Sequence, residues 1–524
     1  MNRHSRITEV CLALAIVAPL AAETPVESRY ANPADWLTYD RDNTSRRYSP
    51  LAEVNTGNVA RLSVSWAFQF IRLPTRTETT PLVRNGVMYL TVGGEEAHAL
   101  DARTGRVLWS FHYAPPNPGG RRSNWNRGFA LSGDRLFMAT SDCSLLAIDA
   151  RNGSLLWRAQ LGDPEQLYGT TAAPLIVKNL ALLGVRGGDT GRVRGSIQAH
   201  DVETGRRVWK FDTVPAPGEP GSETWPPNDS WKAGGAGTWT IGSYDPDLDL
   251  LYWPTGNPGP KDYDGSNRKG DNLYSCSLLA LRPSTGKLVW HYQFSPHNLT
   301  DWDSNQPVVL IDAEWQGRPR KLIAQANRNA FFYVLDRTNG KLLLAKPFTR
   351  QTWAKGIGAD GRPELLPNVE PTARGVKICP DVHGGTNWQA SSYSPLTGLF
   401  YVVAREACGV FHKSGPRPNP DAPPPAQSLK ALDLQTGEVR WTIPFLGPGD
   451  ETFAGVMTTA GGLVFCATRE GQLMAADAKT GKLLWHFNTG GTIRASPMTY
   501  RVGGKQYIAI VSKAAVFTFS LDSE

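Results

Sequence analysis

The chain has 524 residues and a formal net charge of +7; it is 40% hydrophobic and 20% charged, with 52 Gly, 39 Pro, 17 Trp, 16 Tyr and 18 Phe. That hydrophobic share excludes a disordered polymer, and so many glycines, prolines and aromatic rings point away from helical bundles toward a turn-rich, all-β protein. The basic residues are scattered rather than run together, which argues against nucleic acid as a partner and leaves a weakly basic face able to steer an acidic one.

At the N-terminus Arg3, His4 and Arg6 precede an apolar run from Val10 to Ala22. The run is too short to cross a bilayer and has the layout of a signal-peptide core, although Glu9 and Leu20 depart from the ideal pattern. Residues 1–22 are therefore expected to be a leader for export to the periplasm. No later apolar run is long enough to span a membrane. Six cysteines occur, at Cys11, Cys143, Cys276, Cys379, Cys408 and Cys466. None forms a C-x-x-C-H or C-x-x-C motif, which excludes covalent c-type haem and a paired-cysteine zinc site. Loss of Cys11 with the leader leaves an odd number, so at least one thiol stays free, and composition does not choose a pair.

Internal repeats set the architecture. The segments ALDARTGRVLW (99–109), AIDARNGSLLW (147–157), AHDVETGRRVW (199–209), ALRPSTGKLVW (280–290), VLDRTNGKLLL (334–344), ALDLQTGEVRW (431–441) and AADAKTGKLLW (475–485) share one pattern, and a degenerate copy ends at Trp66. Each reads as a strand, a T-G or N-G turn whose glycine supplies a positive φ, and a second strand closed by Trp. The Trp is expected to lie over the neighbouring turn. Eight such units predict an eight-bladed β-propeller with tryptophan-docking repeats, a single domain over residues 23–524. A closed ring removes the exposed sheet edges such a chain would otherwise carry. The pattern from Tyr507 to Phe519 is expected to complete the ring with N-terminal material.

Two intervals between repeats are long, giving loops at about 210–275 and 345–430, with Pro-rich stretches 215–227 and 416–425 that read as exposed. Long ordered insertions are where such a scaffold places function. The first contains GGAGTWTIGSYDPDLDLLYWPTGNPGP (234–260), in which Asn257 offers an amide oxygen suited to a hard cation. Asp301-Trp302-Asp303 follows; if extended, it presents both carboxylates on one face, where they call for a cation or a shared proton. Arg328 in NRN and Asp189 in GGDTGRVRG add complementary charge.

These segments, together with WPTGNPGP, DWD, QANRNAFFYVLDRTNG and GGTNW (384–388), resemble the pyrroloquinoline-quinone (PQQ) alcohol dehydrogenases of the methanol and ethanol dehydrogenase family across the mature chain. The resemblance implies an enzyme that oxidises primary alcohols to aldehydes: Asp301 takes the hydroxyl proton, hydride passes to quinone C5, and a metal acts as Lewis acid. Electrons then leave to a separate acceptor, expected to be a soluble cytochrome c. By motif, Asp189, Asn257, Asp301 and Asp303 would hold the metal, and Trp239 would floor the quinone. Arg328 would contact the quinone oxygens, Arg127 would pair with a cofactor carboxylate, and Glu78, Thr171, Thr238 and Asn387 would make further contacts. Asp303 adds an anionic oxygen and favours a lanthanide over Ca²⁺. Cys379 and Cys408 match a family disulfide, leaving Cys143, Cys276 and Cys466 free and buried. A homodimer is compatible with the resemblance. Departures occur at Asp189, where the family has Glu, at Arg186 for Ser, at Arg121-Arg122 for vicinal cysteines over the quinone, and at Phe453 for a pocket Trp. The alternatives are a PQQ-dependent sugar or polyol dehydrogenase, or a non-catalytic scaffold with PQQ-like repeats.

Overall fold

The computed structural model describes residues 32–71, 76–116, 125–187, 193–259, 263–447 and 453–521. The expected leader, Asp189 and Arg121-Arg122 lie outside the described residues. Among those described, the chain forms seven four-stranded sheets, one five-stranded sheet and two smaller ones. The first is an antiparallel meander of Leu82–Arg84, Val87–Val92, Glu96–Asp101 and Val107–His112. Six more meanders follow at 129–160, 175–212, 243–293, 309–347, 392–444 and 456–488. The eighth is Met498–Val502, Lys505–Val511 and Ala515–Leu521, completed by the N-terminal strand Leu62–Gln69. The C-terminal pattern thus divides into a hairpin, and its last strand pairs with the N-terminal strand.

The repeats act as seams between consecutive sheets. Indole Nε1 of Trp66, Trp109, Trp157 and Trp209 donates to the carbonyls of Ala102, Ala150, Val202 and Pro283, at 3.2, 3.0, 3.3 and 2.8 Å. Trp441 and Trp485 likewise reach Ala478 and Leu62, at 3.2 and 3.1 Å. Each acceptor lies in the next sheet or at its margin, and the last one is at the start of the N-terminal strand. In the repeat's turn Asp101 Oδ1 accepts the Arg103 and Thr104 amides, which explains the aspartate of the pattern. The turn glycine is required twice over. Gly286 sits at φ +70°, and a Cβ there would come within 2.5 Å of the Trp209 ring. Leu344 replaces Trp in the fifth sheet and lies beside Gly437.

A strap formed by residues 34–49 ties the first strands of seven sheets together. Its backbone or side chains bond to Val83, Ile176, Tyr244, Leu310, Tyr393, Thr458 and Arg501, each in the first strand of a different sheet. Fully buried Arg47 anchors it, pairing with Asp40 at 3.2 Å and donating to the Val456 and Pro497 carbonyls.

The Pro-rich stretches are partly ordered, contrary to the reading of plain loops. The first contains the 3-10 turn Ser222–Thr224, and Gly415–Pro418 is a strand paired with Gly409–His412, which pairs on its other side with Val376–Ile378. Cys379 and Cys408 form a disulfide next to this small sheet; Cys143, Cys276 and Cys466 are unbridged and buried.

Because successive strands are antiparallel, connections alternate between the two ends of each sheet. The T-G turns fall at one end. The links between second and third strands, and those from one sheet to the next, fall at the other. Every described site residue named from the sequence belongs to this second set.

Candidate active site

Four of the expected cofactor contacts form one buried network. The Arg127 guanidinium pairs with Glu78 at 2.9 Å and donates to Thr171 Oγ1 and to the Trp239 carbonyl, both at 2.8 Å. Thr171 Oγ1 donates to the same carbonyl at 2.9 Å. Glu78, Arg127 and Thr171 are buried, whereas Trp239 keeps its ring half-buried. Arg127 lies 5.3 Å from the centre of that ring and 4.2 Å from the centre of Trp388. Breaking such a buried ion pair costs about 3–5 kcal/mol, because the surviving charge is left uncompensated. The hydroxyl of Thr238 is engaged by the scaffold: it donates to the Ser196 carbonyl at 2.6 Å and accepts the Val185 amide at 3.0 Å.

A second cluster surrounds Asp303. One carboxylate oxygen accepts the Asn257 amide at 2.6 Å and the other accepts Arg328 at 2.8 Å. Arg328 also donates to the Val382 carbonyl at 2.6 and 3.1 Å, so its head is held on two sides. Close approach explains the neighbouring glycines. A Cβ on Gly256 would lie 2.4 Å from Asp303 Oδ1, and one on Gly384, at φ +81°, would lie 2.1 Å from Arg328 Cγ.

The segment carrying Asp301 is not a strand, so the simple alternation of its carboxylates does not apply. Asp301 has φ +60°, and Asn298 Oδ1 accepts the amides of both Thr300 and Trp302, winding a turn. The Trp302 indole donates to the Asp381 carbonyl at 2.9 Å and fixes that turn. Asp301 and Asp303 are both buried. Beneath them lies Cys276, whose Sγ donates to the Trp302 carbonyl at 3.3 Å. Burial pushes this thiol well up, and Asp303 and Asp301 add to the effect against Arg268 and Arg328. It therefore remains protonated.

Asn387 accepts the Trp388 amide at 2.9 Å and donates to the His383 carbonyl at 3.2 Å. Trp388 stacks on Phe453, with centroids 6.0 Å apart and planes at 25°. Trp388 was not among the expected contacts, although GGTNW contains it beside Asn387. Behind Val382, Asp381 pairs with Arg405, a support for Arg328 that no motif signalled.

The donor chemistry fits both a hard cation and a planar polyanion. Two carboxylates and an amide offer oxygen ligands, and two fixed guanidinium groups and a half-buried indole face suit a flat quinone carboxylate. Among the described residues no group of three or more His, Cys, Asp or Glu could hold a metal ion, and Asp189 lies outside them.

Comparison with known proteins agrees with this chemistry. The family model described as "Glucose/ethanol/alcohol dehydrogenase, beta-propeller domain", named for PQQ, matches residues 36–349 and 409–508. The quinohemoprotein alcohol dehydrogenase ADH IIB of Pseudomonas putida is 36% identical over 96% of this chain and 77% of its own length. The quinoprotein alcohol dehydrogenase PedH of Pseudomonas putida is 37% identical, with 92% and 86% covered. The 1-butanol dehydrogenase (cytochrome c) of Thauera butanivorans is 35% identical, with 92% and 74% covered. Among solved structures, a europium-containing methanol dehydrogenase superposes with a TM-score of 0.87 at 31% identity, covering 95% of this chain and all of that one. The fold and site thus define a quinoprotein β-propeller. The chain belongs to the family of PQQ-dependent alcohol dehydrogenases and is an oxidoreductase of that kind. That membership removes support from the non-catalytic scaffold.

Proposed function

We propose that the chain is an eight-bladed, tryptophan-docked enzyme that oxidises primary alcohols to aldehydes in the periplasm, with Asp301 as the base and a soluble cytochrome c as electron acceptor. The eight sheets of at least four strands and the indole seams between them support the propeller count. The observation that carries the chemistry is the meeting of Asp303, Asn257 and Arg328 beside the buried turn of Asp301.

When bound, PQQ supplies the two-electron acceptor and the metal supplies a Lewis acid. Asp301 accepts the alcohol's hydroxyl proton at a carboxylate oxygen as the carbinol carbon gives up hydride. The surrounding turn fixes that carboxylate in advance, which lowers the cost of orientation. Arg328, held by Asp303 and Val382, presents a stationary cation where negative charge develops. Glu78, Arg127, Thr171, Thr238 and Asn387 would hold the cofactor against Trp239. Asp189, Asn257, Asp301 and Asp303 would hold the metal, and the anionic Asp303 would favour a lanthanide over Ca²⁺. Likeness to a europium-containing enzyme supports that choice, and likeness to a cytochrome c-linked butanol dehydrogenase supports the acceptor. The apolar run within residues 1–22 supports export, and among the described residues no helix is long and apolar enough to cross a membrane.

The test is Asp301→Asn in enzyme loaded with PQQ and La³⁺. The variant is expected to keep the quinone absorbance and to lose at least about a hundredfold in ethanol turnover. Undiminished turnover overturns the assignment of the base, and faster turnover of glucose than of ethanol overturns the substrate class.

A further inference from the structure

Three consecutive main-chain carbonyls in the connection between the fifth and sixth sheets each hold a different part of the site. The Asp381 carbonyl accepts the indole of Trp302, the residue between Asp301 and Asp303, at 2.9 Å. The Val382 carbonyl accepts two N–H groups of Arg328, at 2.6 and 3.1 Å, one for each of its lone pairs. The His383 carbonyl accepts Asn387 Nδ2 at 3.2 Å. The Gly385 amide then donates to the Arg328 carbonyl at 3.0 Å, so both the backbone and the head of Arg328 rest on this segment. The Asp303–Arg328 ion pair ties the base turn and the cation to each other, whereas the segment ties both to the scaffold.

The segment is anchored in turn, chiefly from one strand. The Asp381 amide donates to the Ala407 carbonyl at 3.0 Å, and the Arg405 amide donates to the Gly385 carbonyl at 2.8 Å. Between these bonds the guanidinium of buried Arg405 pairs with the Asp381 carboxylate. A step beyond Ala407, Cys408 is joined to Cys379. Cys379 is also bonded twice to Thr352, by its amide to Oγ1 and by its carbonyl to the amide, both at 2.9 Å. An ion pair, two main-chain bonds and a covalent link thus hold residues 379–385 against the end of the strand Leu399–Glu406.

We infer that Arg405 is a positioning residue for the reaction: through Asp381, with the Cys379–Cys408 link behind it, it sets where Asp301 and Arg328 stand. The inference rests on the reading of Asp301 as the base. A misplacement of about 1 Å in such a pair costs on the order of a hundredfold in rate, even when its cause lies away from the reacting atoms. The bonds that run from Arg405 to the base are a charge-assisted pair followed by a carbonyl–indole contact, and both depend on direction as well as distance.

The experiment compares wild type, Arg405→Gln, Arg405→Lys and the double variant Cys379→Ser/Cys408→Ser, which opens the covalent link without stranding a charge. Hydrogen exchange on the cofactor-free chain reads the peptide carrying the Thr300 and Trp302 amides, with the repeat at 99–109 as control. Ethanol kinetics on enzyme loaded with PQQ and metal are counted per bound quinone. Arg405→Gln and the double variant are expected to speed exchange at the Thr300–Trp302 peptide at least tenfold and to leave 99–109 unchanged. In Arg405→Gln kcat per bound quinone is expected to fall tenfold to a hundredfold with KM within about threefold, and Arg405→Lys to restore part of it. Wild-type exchange and kcat in both Arg405→Gln and the double variant overturn the inference. So does faster exchange at 99–109 to the same degree, which marks a general loosening of the fold. A wild type that binds quinone without oxidising ethanol refutes the proposed function instead, and the exchange comparison still decides whether Arg405 holds the turn.

Discussion

At the scale of single residues, the site works through pairing. Asp303 joins the Asn257 loop to Arg328, because one oxygen takes the Asn257 backbone amide and the other takes the guanidinium. Behind them Asp381 steadies Arg328 through the adjoining Val382 carbonyl and receives Arg405. Burial pushes the Asp381 carboxyl up, but His383 and Arg405 outweigh it and hold the group down at about 2, below the ordinary 3.8. A carboxyl held low stabilises the fold above its ordinary value and loses that contribution as pH falls from there toward 2. The contribution is on the order of 2 kcal/mol. Urea midpoints measured from about pH 5 to pH 2 are expected to fall less steeply in Asp381→Asn than in wild type; equal slopes refute the role. Asn257, Asp301, Asp303, Arg127 and Arg328 were legible in the sequence because each sits in a short, unusual motif. The turn at Asp301 was not, since it depends on Asn298 and on a distant carbonyl at Asp381. Trp388 and Arg405 escaped for the same reason: their contacts are made across long stretches of chain.

At the scale of elements, the repeated sentence of sequence is a joint. The indoles of Trp66, Trp109, Trp157, Trp209, Trp290 and Trp441 each lie against the turn glycine of the next sheet, so pattern, turn and packing agree. Gly286→Ala is expected to destabilise the chain by about 1–3 kcal/mol, since its Cβ meets the Trp209 ring and its φ is positive. Trp209→Ala leaves a cavity and is expected to cost about 3–5 kcal/mol, more than Trp209→Leu, the residue type that Leu344 already provides at the fifth sheet. Urea denaturation checks the order, and a larger loss for Leu than for Ala contradicts the joint. The seven T-G and N-G segments were readable because local propensity and tertiary role coincide. The strands at Gly409–His412 and Gly415–Pro418 were not, because the second is proline-rich and gives no period, and the first pairs on its other side with Val376–Ile378 far upstream.

At the scale of the whole molecule, ring closure and site assembly are one event. The strand Leu62–Gln69 closes the last sheet, and the strap at 34–49 bonds to the first strands of seven sheets. Within the strap, burial and Asp40 push the Tyr39 phenol up to about 12, against the charges of Arg47 and Arg127. The ring was legible from its repeats, whereas the strap carries no repeat and shows itself only through main-chain bonds to distant strands. Glu78, Arg127, Thr171, Trp239, Asn257, Asp301, Arg328 and Asn387 come from connections spread around this ring, and only the closed fold brings them to one end. The central claim is that those connections build a quinone site whose metal preference is set by Asp303. The most direct measurement is ethanol oxidation by the metal-free chain given PQQ with either La³⁺ or Ca²⁺, using an artificial electron acceptor. Turnover with La³⁺ well above that with Ca²⁺ is the expected result. Turnover with Ca²⁺ alone would contradict the role of Asp303, and silence with both metals while PQQ is bound would contradict the site itself.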